Sequence, residues 1–276
     1  MPNKLFELLH RKLSQSVADF PGVVGFSVRD LTTGEQIDLL GDELFPAAST
    51  IKIFVLATLL CQAESEPTRE LLEQRISVDV RVPGSGVLTY LEHPVELSLL
   101  DLAILMMIVS DNTATNICIE RAGMDHVNST IANFGLTNTV LRRAMQDHAA
   151  IAAGRENVTT PNDLVETFAA LHAGKPTPGT ANRALEVMSK LYSSPFRSAI
   201  PESIRVAHKT GGMPRVRAEA ALVYLPNRPY AFSVMSKYAM SDPAQQGAFL
   251  SDVARTTHQF FATLADSNPF GQGLSS

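Results

Sequence analysis

Three short strings carry side chains able to do chemistry together: Ser49-Thr50-Ile51-Lys52, Ser110-Asp111-Asn112 and Lys209-Thr210-Gly211. They supply a hydroxyl beside an amine, a second hydroxyl with an amide, and a cation followed by glycine. A serine hydroxyl is a weak nucleophile until a base takes its proton, and an ammonium desolvated beside other cations can lose its charge and become that base. The set implies serine acyl transfer. At about 6 % usage per residue type, a Ser-x-x-Lys pair arises about once by chance in a chain this long, and each of the other two strings in about one such chain in twenty. The signal lies in all three occurring together, in order.

Each string needs an element to position it. Phe45-Pro46-Ala47-Ala48 leads into Ser49, and Ile51, Ile53, Phe54, Val55, Leu56, Leu59 and Leu60 are apolar on nearly every side, as in a buried central helix. On that helix Ser49 and Lys52 are three residues apart and share a face. Ser49 falls in the first turn, where free N–H groups and the positive dipole end lie. Taken alone, the same string also fits a capping serine followed by a snorkelling lysine.

Ser110-Asp111-Asn112 interrupts two helical stretches, Leu97 to Val109 and Thr113 to Ala122, as a polar turn able to push a hydroxyl and an amide into a cleft. Alone it reads equally as an ordinary Asp/Asn turn. Lys209-Thr210-Gly211-Gly212 follows Ile204 and Val206 in a predicted strand. Two more strands follow, Glu219 to Tyr224 and Tyr230 to Ser236, joined around Pro226-Asn227-Arg228-Pro229. Gly211 and Gly212 let a ligand lie against the strand, while Lys209 and Thr210 offer a carboxylate a charge and a hydroxyl.

The rest of the chain supplies a frame. An amphipathic helix over the first 20 residues precedes a hairpin, Gly22 to Val28 and Gln36 to Leu40, turned at Asp30-Leu31-Thr32-Thr33-Gly34. A helical block runs from Ser49 to about Met188, and a last helix spans about Ala244 to Leu264. Strands from both chain ends argue for one antiparallel sheet with an inserted helical lobe. The sheet part covers about 1–48 and 200–276 and the lobe about 49–199, in one catalytic domain. Lys175-Pro176-Thr177-Pro178-Gly179 reads as a surface loop.

At 276 residues, 45 % hydrophobic and 18 % charged, the chain can bury a sizeable core. A net charge of −5 without a basic run gives no reason to expect nucleic acid. Seven scattered histidines form no metal-binding motif, so neither metal nor cofactor is implied. Cys61 and Cys118 read as two buried thiols. No stretch is apolar and long enough to span a membrane, and the N-terminus lacks a secretory core. The expectation is a cytoplasmic chain unless a leader has been removed, monomeric, with a small molecule as partner.

The three strings are the signature of class A β-lactamases and penicillin-binding proteins, and nearly the whole chain resembles that serine β-lactamase and D,D-peptidase superfamily. The resemblance implies an α/β sandwich with a five-stranded antiparallel sheet and an all-helical lobe. It also implies roles. Ser49 is acylated, Lys52 manages its proton, Ser110 relays a proton to the leaving nitrogen, and Asn112 holds the substrate's amide side chain. Lys209 and Thr210 bind its carboxylate, and the backbone N–H groups of Ser49 and Gly212 form the oxyanion hole. Arg217, just beyond Gly212, stands where an assisting arginine is often found, with Glu219 as its expected pairing partner. Pro83 to Tyr90 reads either as the cleft rim, with Tyr90 as an aromatic wall, or as a plain connection with Tyr90 in the core.

One departure counts more than any match. Class A enzymes carry a loop glutamate, in a Glu-x-x-Leu-Asn string, that activates the water clearing the acyl-enzyme. Here Leu141 to His148 runs towards Asn157-Val158-Thr159-Thr160-Pro161, and the glutamate's place is held by Met145. Asp147 and Glu156 are the stretch's carboxylates and His148 is a possible neutral-pH base, so Asp147 is the candidate replacement. Acylation should survive while clearance is slow. Three activities follow from this: a β-lactamase-like hydrolase, a D,D-carboxypeptidase, transpeptidase or esterase using the same acyl-enzyme, and a β-lactam-binding sensor without turnover.

Overall fold

The computed structural model describes residues 4–65, 70–191, 194–268 and 270–274. The amphipathic N-terminal segment forms helix α1 (Lys4–Ala18), which buries Phe6, Leu9 and Leu13 along one face. Strands β1 (Val23–Asp30) and β2 (Gln36–Leu39) form the expected hairpin, followed by the short β3 (Phe45–Pro46) and the buried helix α2 (Lys52–Ala63). Next come β4 (Arg75–Ser77), β5 (Glu96–Ser98), α3 (Leu99–Ile108), α4 (Asn112–Ala122), α5 (Met124–Asn133) and α6 (His148–Ala152). The chain continues through β6 (Val158–Thr159), α7 (Pro161–His172), α8 (Pro178–Met188) and α9 (Pro195–Ser198). It then returns to strands β7 (Val206–Met213), β8 (Val216–Val223) and β9 (Tyr230–Lys237) before α10 (Pro243–Ala265).

The five long strands make one antiparallel sheet in the order β2-β1-β9-β8-β7. The two chain ends meet at the β1–β9 pairing, where Phe26 lies opposite Val234. Alternation then divides the core. Val24, Phe26, Val28, Phe232 and Val234 pack with α1 and α10, while Ala207, Ala218, Ala220, Leu222 and Met235 pack with the helices between the strands. Small alanines on that second face let helices lie close to the sheet.

The helical part is less detached than the sequence suggests, because α7 lies across β1, β8 and β9. Thr160 caps it, accepting from the Asp163 N–H, and Pro161 fills its first turn. The expected surface loop at 175–179 is partly helical. Thr177 caps α8, which begins at Pro178 and includes Gly179. Cys61 and Cys118 are free thiols, and burial pushes the Cys118 thiol upward. Among the described residues no helix is long and apolar enough to cross a membrane.

Candidate active site

Ser49 is set by what precedes it. The β3–β6 pairing places Phe45 opposite Thr159, and the Ala47 N–H donates to the Asn157 carbonyl at 2.8 Å. Ala48 then turns into the left-handed region at φ 46° and the chain enters a tight 3₁₀ turn, Ala48–Ile51. The Thr50 hydroxyl and N–H both donate to the Ala47 carbonyl. Ser49 is thus half-buried in a 3₁₀ turn before α2, rather than in the first turn of a uniform α-helix. Its hydroxyl has no hydrogen-bond partner among the described residues. Lys52, the first residue of α2, is 0 % exposed, and its Nζ donates to Ser110 O at 2.7 Å, Ser110 Oγ at 3.0 Å and Asn112 Oδ1 at 3.2 Å.

Ser110 stands at φ 55°, in the turn between α3 and α4. Asp111 fixes that turn. Its Oδ1 caps α4 by accepting from the Ala114 N–H, and its Oδ2 accepts from the N–H groups of Val87 and Leu88 at 2.7 and 2.8 Å. Gly86 is required there, since a Cβ on it would fall 2.2 Å from Asp111 Oδ2. Asn112 completes the clamp, donating from its backbone to Ser85 O and from Nδ2 to Pro83 O. The 82–88 segment is therefore docked on the Ser110 turn. Gly84 and Ser85 line the cleft, while Tyr90 is 77 % exposed, which rules out the core reading.

On β7, Lys209 is 0 % exposed and its Nζ donates to Thr210 O at 2.9 Å and Ser110 Oγ at 3.3 Å. Gly211 presses on the Ser49 turn, because a Cβ there would lie 2.9 Å from the Ser49 N. Arg217 pairs across the strands with Gly212, and its Nη1 donates back to the carbonyls of Met213 and Val216. Glu219 does not pair with Arg217. It is buried and meets His208 Nδ1 at 3.2 Å, with the His208 Nε2 at 3.1 Å from the Leu191 carbonyl.

Two buried ammonium groups thus converge on one serine hydroxyl. Burial lowers the Lys52 pKa well below the usual lysine value, the Lys209 charge lowers it further, and Asp111 opposes the shift. Burial also lowers Lys209, to about 8, against the opposing charge of Glu219. The downward shift makes it easier for Lys52 to give up its proton and so become a proton acceptor, while Lys209, at about 8, is mostly charged near pH 7 and able to attract an anion. A cleft of about 540 Å³ adjoins this cluster, with Ala48 and Gly212 on one side, Ser85 and Asn112 on another, and Met145, Gln146 and His148 on the third.

That third side is held by contacts of which the sequence shows little sign. Asn157 Oδ1 accepts from the N–H groups of Arg142 and Arg143, and its Nδ2 donates to Arg143 O. Arg143 is buried and paired with Glu156, which also accepts from the Asn157 N–H. Asn116 holds Met145 by both backbone groups, at 2.7 and 3.1 Å. The one available hint is the Asn112/Asn116 spacing, which puts two amides on one face of α4. Asp147 is occupied as the N-cap of α6, its Oδ1 accepting from the Ala150 N–H at 2.9 Å. Among the described residues no group of three His, Cys, Asp or Glu side chains could hold a metal ion.

A family model described as the beta-lactamase enzyme family matches residues 8–261. Among curated proteins, "Beta-lactamase CARB-4" of Pseudomonas aeruginosa is 28 % identical over 68 % of this chain and 67 % of its own length. "Beta-lactamase regulatory protein BlaB" of Streptomyces cacaoi is 25 % identical over 90 % and 96 %. Among solved structures, the acyl-enzyme complex of a PBP-A mutant with penicillin G superposes with a TM-score of 0.82 at 29 % identity, covering 93 % of this chain and 97 % of that one.

Proposed function

This chain belongs to the beta-lactamase enzyme family, and on that basis we propose that it opens β-lactam or related amide bonds through an acyl-enzyme on Ser49 and clears that intermediate slowly. The substrate carboxylate binds Lys209 and Thr210. Ser49 Oγ attacks the amide carbon while neutral Lys52 takes the hydroxyl proton, and the backbone N–H groups of Ser49 and Gly212 stabilise the oxyanion. The C–N bond then breaks as the proton passes from Lys52 through Ser110 Oγ to the leaving nitrogen.

The observation carrying this reading is the Ser110 hydroxyl, within hydrogen-bond reach of Lys52 and Lys209 at once. A penicillin G acyl-enzyme in a structural relative supports it. Slow clearance rests on the loop: Asp147 caps a helix, Glu156 is bound by Arg143 and Asn157, and Met145 holds the place where a glutamate would activate water. The same clamps favour a second reading, a sensor that is acylated without turnover. The regulatory relative supports that alternative.

A chromogenic cephalosporin separates these readings. One equivalent of colour should appear as a burst, followed by a slow steady rate. Sustained rapid turnover from the first seconds would refute slow clearance, and a burst with no later rate would favour the sensor. Release of D-alanine from a D-Ala-D-Ala peptide would identify the D,D-peptidase version of the same acyl-enzyme.

A further inference from the structure

Two buried titratable side chains beside Lys209 have no part in the mechanism proposed above: His208, the residue before it on β7, and Glu219, on the neighbouring β8. Alternation turns His208 to the opposite face of the sheet from Lys209. There its Nδ1 lies 3.2 Å from Glu219 Oε1 and 3.4 Å from Ser194 Oγ, and its Nε2 lies 3.1 Å from the Leu191 carbonyl. A carbonyl only accepts, so Nε2 carries a hydrogen and Nδ1 alone is left to meet the carboxyl. Glu219 Oε2 is buried with no hydrogen-bond partner among the described residues. A carboxylate so placed is costly unless a nearby cation compensates it.

Register places such a cation close by. Glu219 pairs with Thr210 and Lys209 with Ala220, so carboxylate and ammonium belong to adjacent positions on strands about 5 Å apart. The other charged groups around them are engaged elsewhere. Lys52 donates to Ser110 and Asn112, and Asp111 accepts from the N–H groups of Val87, Leu88 and Ala114. Arg217 donates to the carbonyls of Met213 and Val216, and Arg197 of α9 to that of Ile200. Asp163 of α7 and His258 of α10 are held by Thr139 and Tyr230, α8 buries no titratable side chain, and β9 sets Val234 opposite Glu219. The Glu219 charge opposes the effect of burial on Lys209. We propose that Glu219 is a positioning residue that acts through Lys209: its buried negative charge holds the proton on that ammonium and so keeps the anion-binding end of the cleft charged at neutral pH. This inference rests on the carboxylate binding by Lys209 proposed above.

The test is the pH profile of the acylation rate constant with benzylpenicillin and with its uncharged methyl ester. In the wild type the alkaline limb for benzylpenicillin should fall near 8, where Lys209 titrates. Glu219→Gln keeps the size of the side chain and removes its charge. It should move that limb down by about one unit, a loss of about fivefold at pH 8, and leave the ester unaffected. Glu219→Asp, which keeps the charge, should hold the limb near its wild-type place. An unmoved limb in Glu219→Gln would overturn the proposal. So would equal losses with acid and ester at every pH, or a shift in Glu219→Asp as large as in Glu219→Gln, since either marks a packing role. In the wild-type protein, the δ-carbon resonance of Glu219, assigned with Glu219→Asp, should report an ionised carboxyl at pH 7. A protonated carboxyl there would overturn the proposal whether or not the glutamine variant folds. A wild-type protein showing the same alkaline limb with acid and ester would instead refute carboxylate binding by Lys209, and is distinguishable from all these results.

Discussion

The Ser110 turn and the 141–160 loop face the same cleft but are built in opposite ways. Around Ser110, charge is concentrated and left available: two buried ammonium groups reach one hydroxyl, and among the described residues neither is hydrogen-bonded to a carboxylate. In the loop, charge is consumed. Glu156 is taken by Arg143, Asp147 by a helix end, and Asn157 by three backbone groups. Buried charges without carboxylate partners are costly and mark a place where chemistry is prepared. Paired and capping carboxylates hold shape. On the proposed reading, one wall of the cleft forms the acyl-enzyme, while the carboxylates of the other are engaged in holding its backbone.

Removing the nucleophile should break the first half of that contrast outright. Ser49→Ala is expected to abolish covalent labelling and lower any turnover on the order of 10⁶-fold, as checked by intact-protein mass spectrometry. Labelling that persists would exclude Ser49.

The loop is next. Met145→Glu restores a carboxylate at a backbone position already fixed by Asn116. It should shorten adduct lifetime by about a hundredfold, within the usual range for a general base. An unchanged lifetime would show that this backbone does not aim the residue at a clearing water.

A smaller effect comes from pH. Acylation needs Lys52 neutral and Lys209 charged, so the rate constant should rise as Lys52 loses its proton and fall as Lys209 titrates near 8. For a carboxylate-bearing β-lactam this means a drop of about tenfold between pH 7 and 9 once Lys52 is deprotonated. A neutral ester should lack that alkaline limb. The same limb with the ester would remove Lys209 from carboxylate binding.

The smallest effect probes the loop carboxylate directly. Asp147→Ala loses an N-cap, about 1 kcal/mol, visible as a thermal shift of about 2–4 °C, with adduct lifetime unchanged. A lifetime ten times longer would identify Asp147 as the base after all.

Much of the seam is legible in the sequence because its residues are fixed by type and its elements by local signals. Periodicity marks the hairpin, the buried α2 and the last helix, and the three strings fall at the entry to α2, in the turn between α3 and α4, and within β7. The loop is opaque because its organisation is non-local. Asn157 holds residues 14 and 15 positions away, and Asn116 holds Met145 across 29. Neither spacing leaves a periodic trace. Glu219 is misread for a related reason. Alternation puts Arg217 and Glu219 on one face of β8, yet Glu219 reaches across to His208 on the neighbouring strand instead of along its own. Tyr90 draws attention by its size, whereas the rim is set by Gly84 and Gly86, whose missing side chains make room for Asn112 and Asp111.

The most direct test is a mass-resolved time course after mixing with benzylpenicillin, which reports formation and clearance of the adduct separately. The expected result is a one-to-one adduct on Ser49 that forms quickly and outlasts its own formation many-fold. Complete hydrolysis of the penicillin with no adduct observed at any time would contradict a cleft equipped on one wall only.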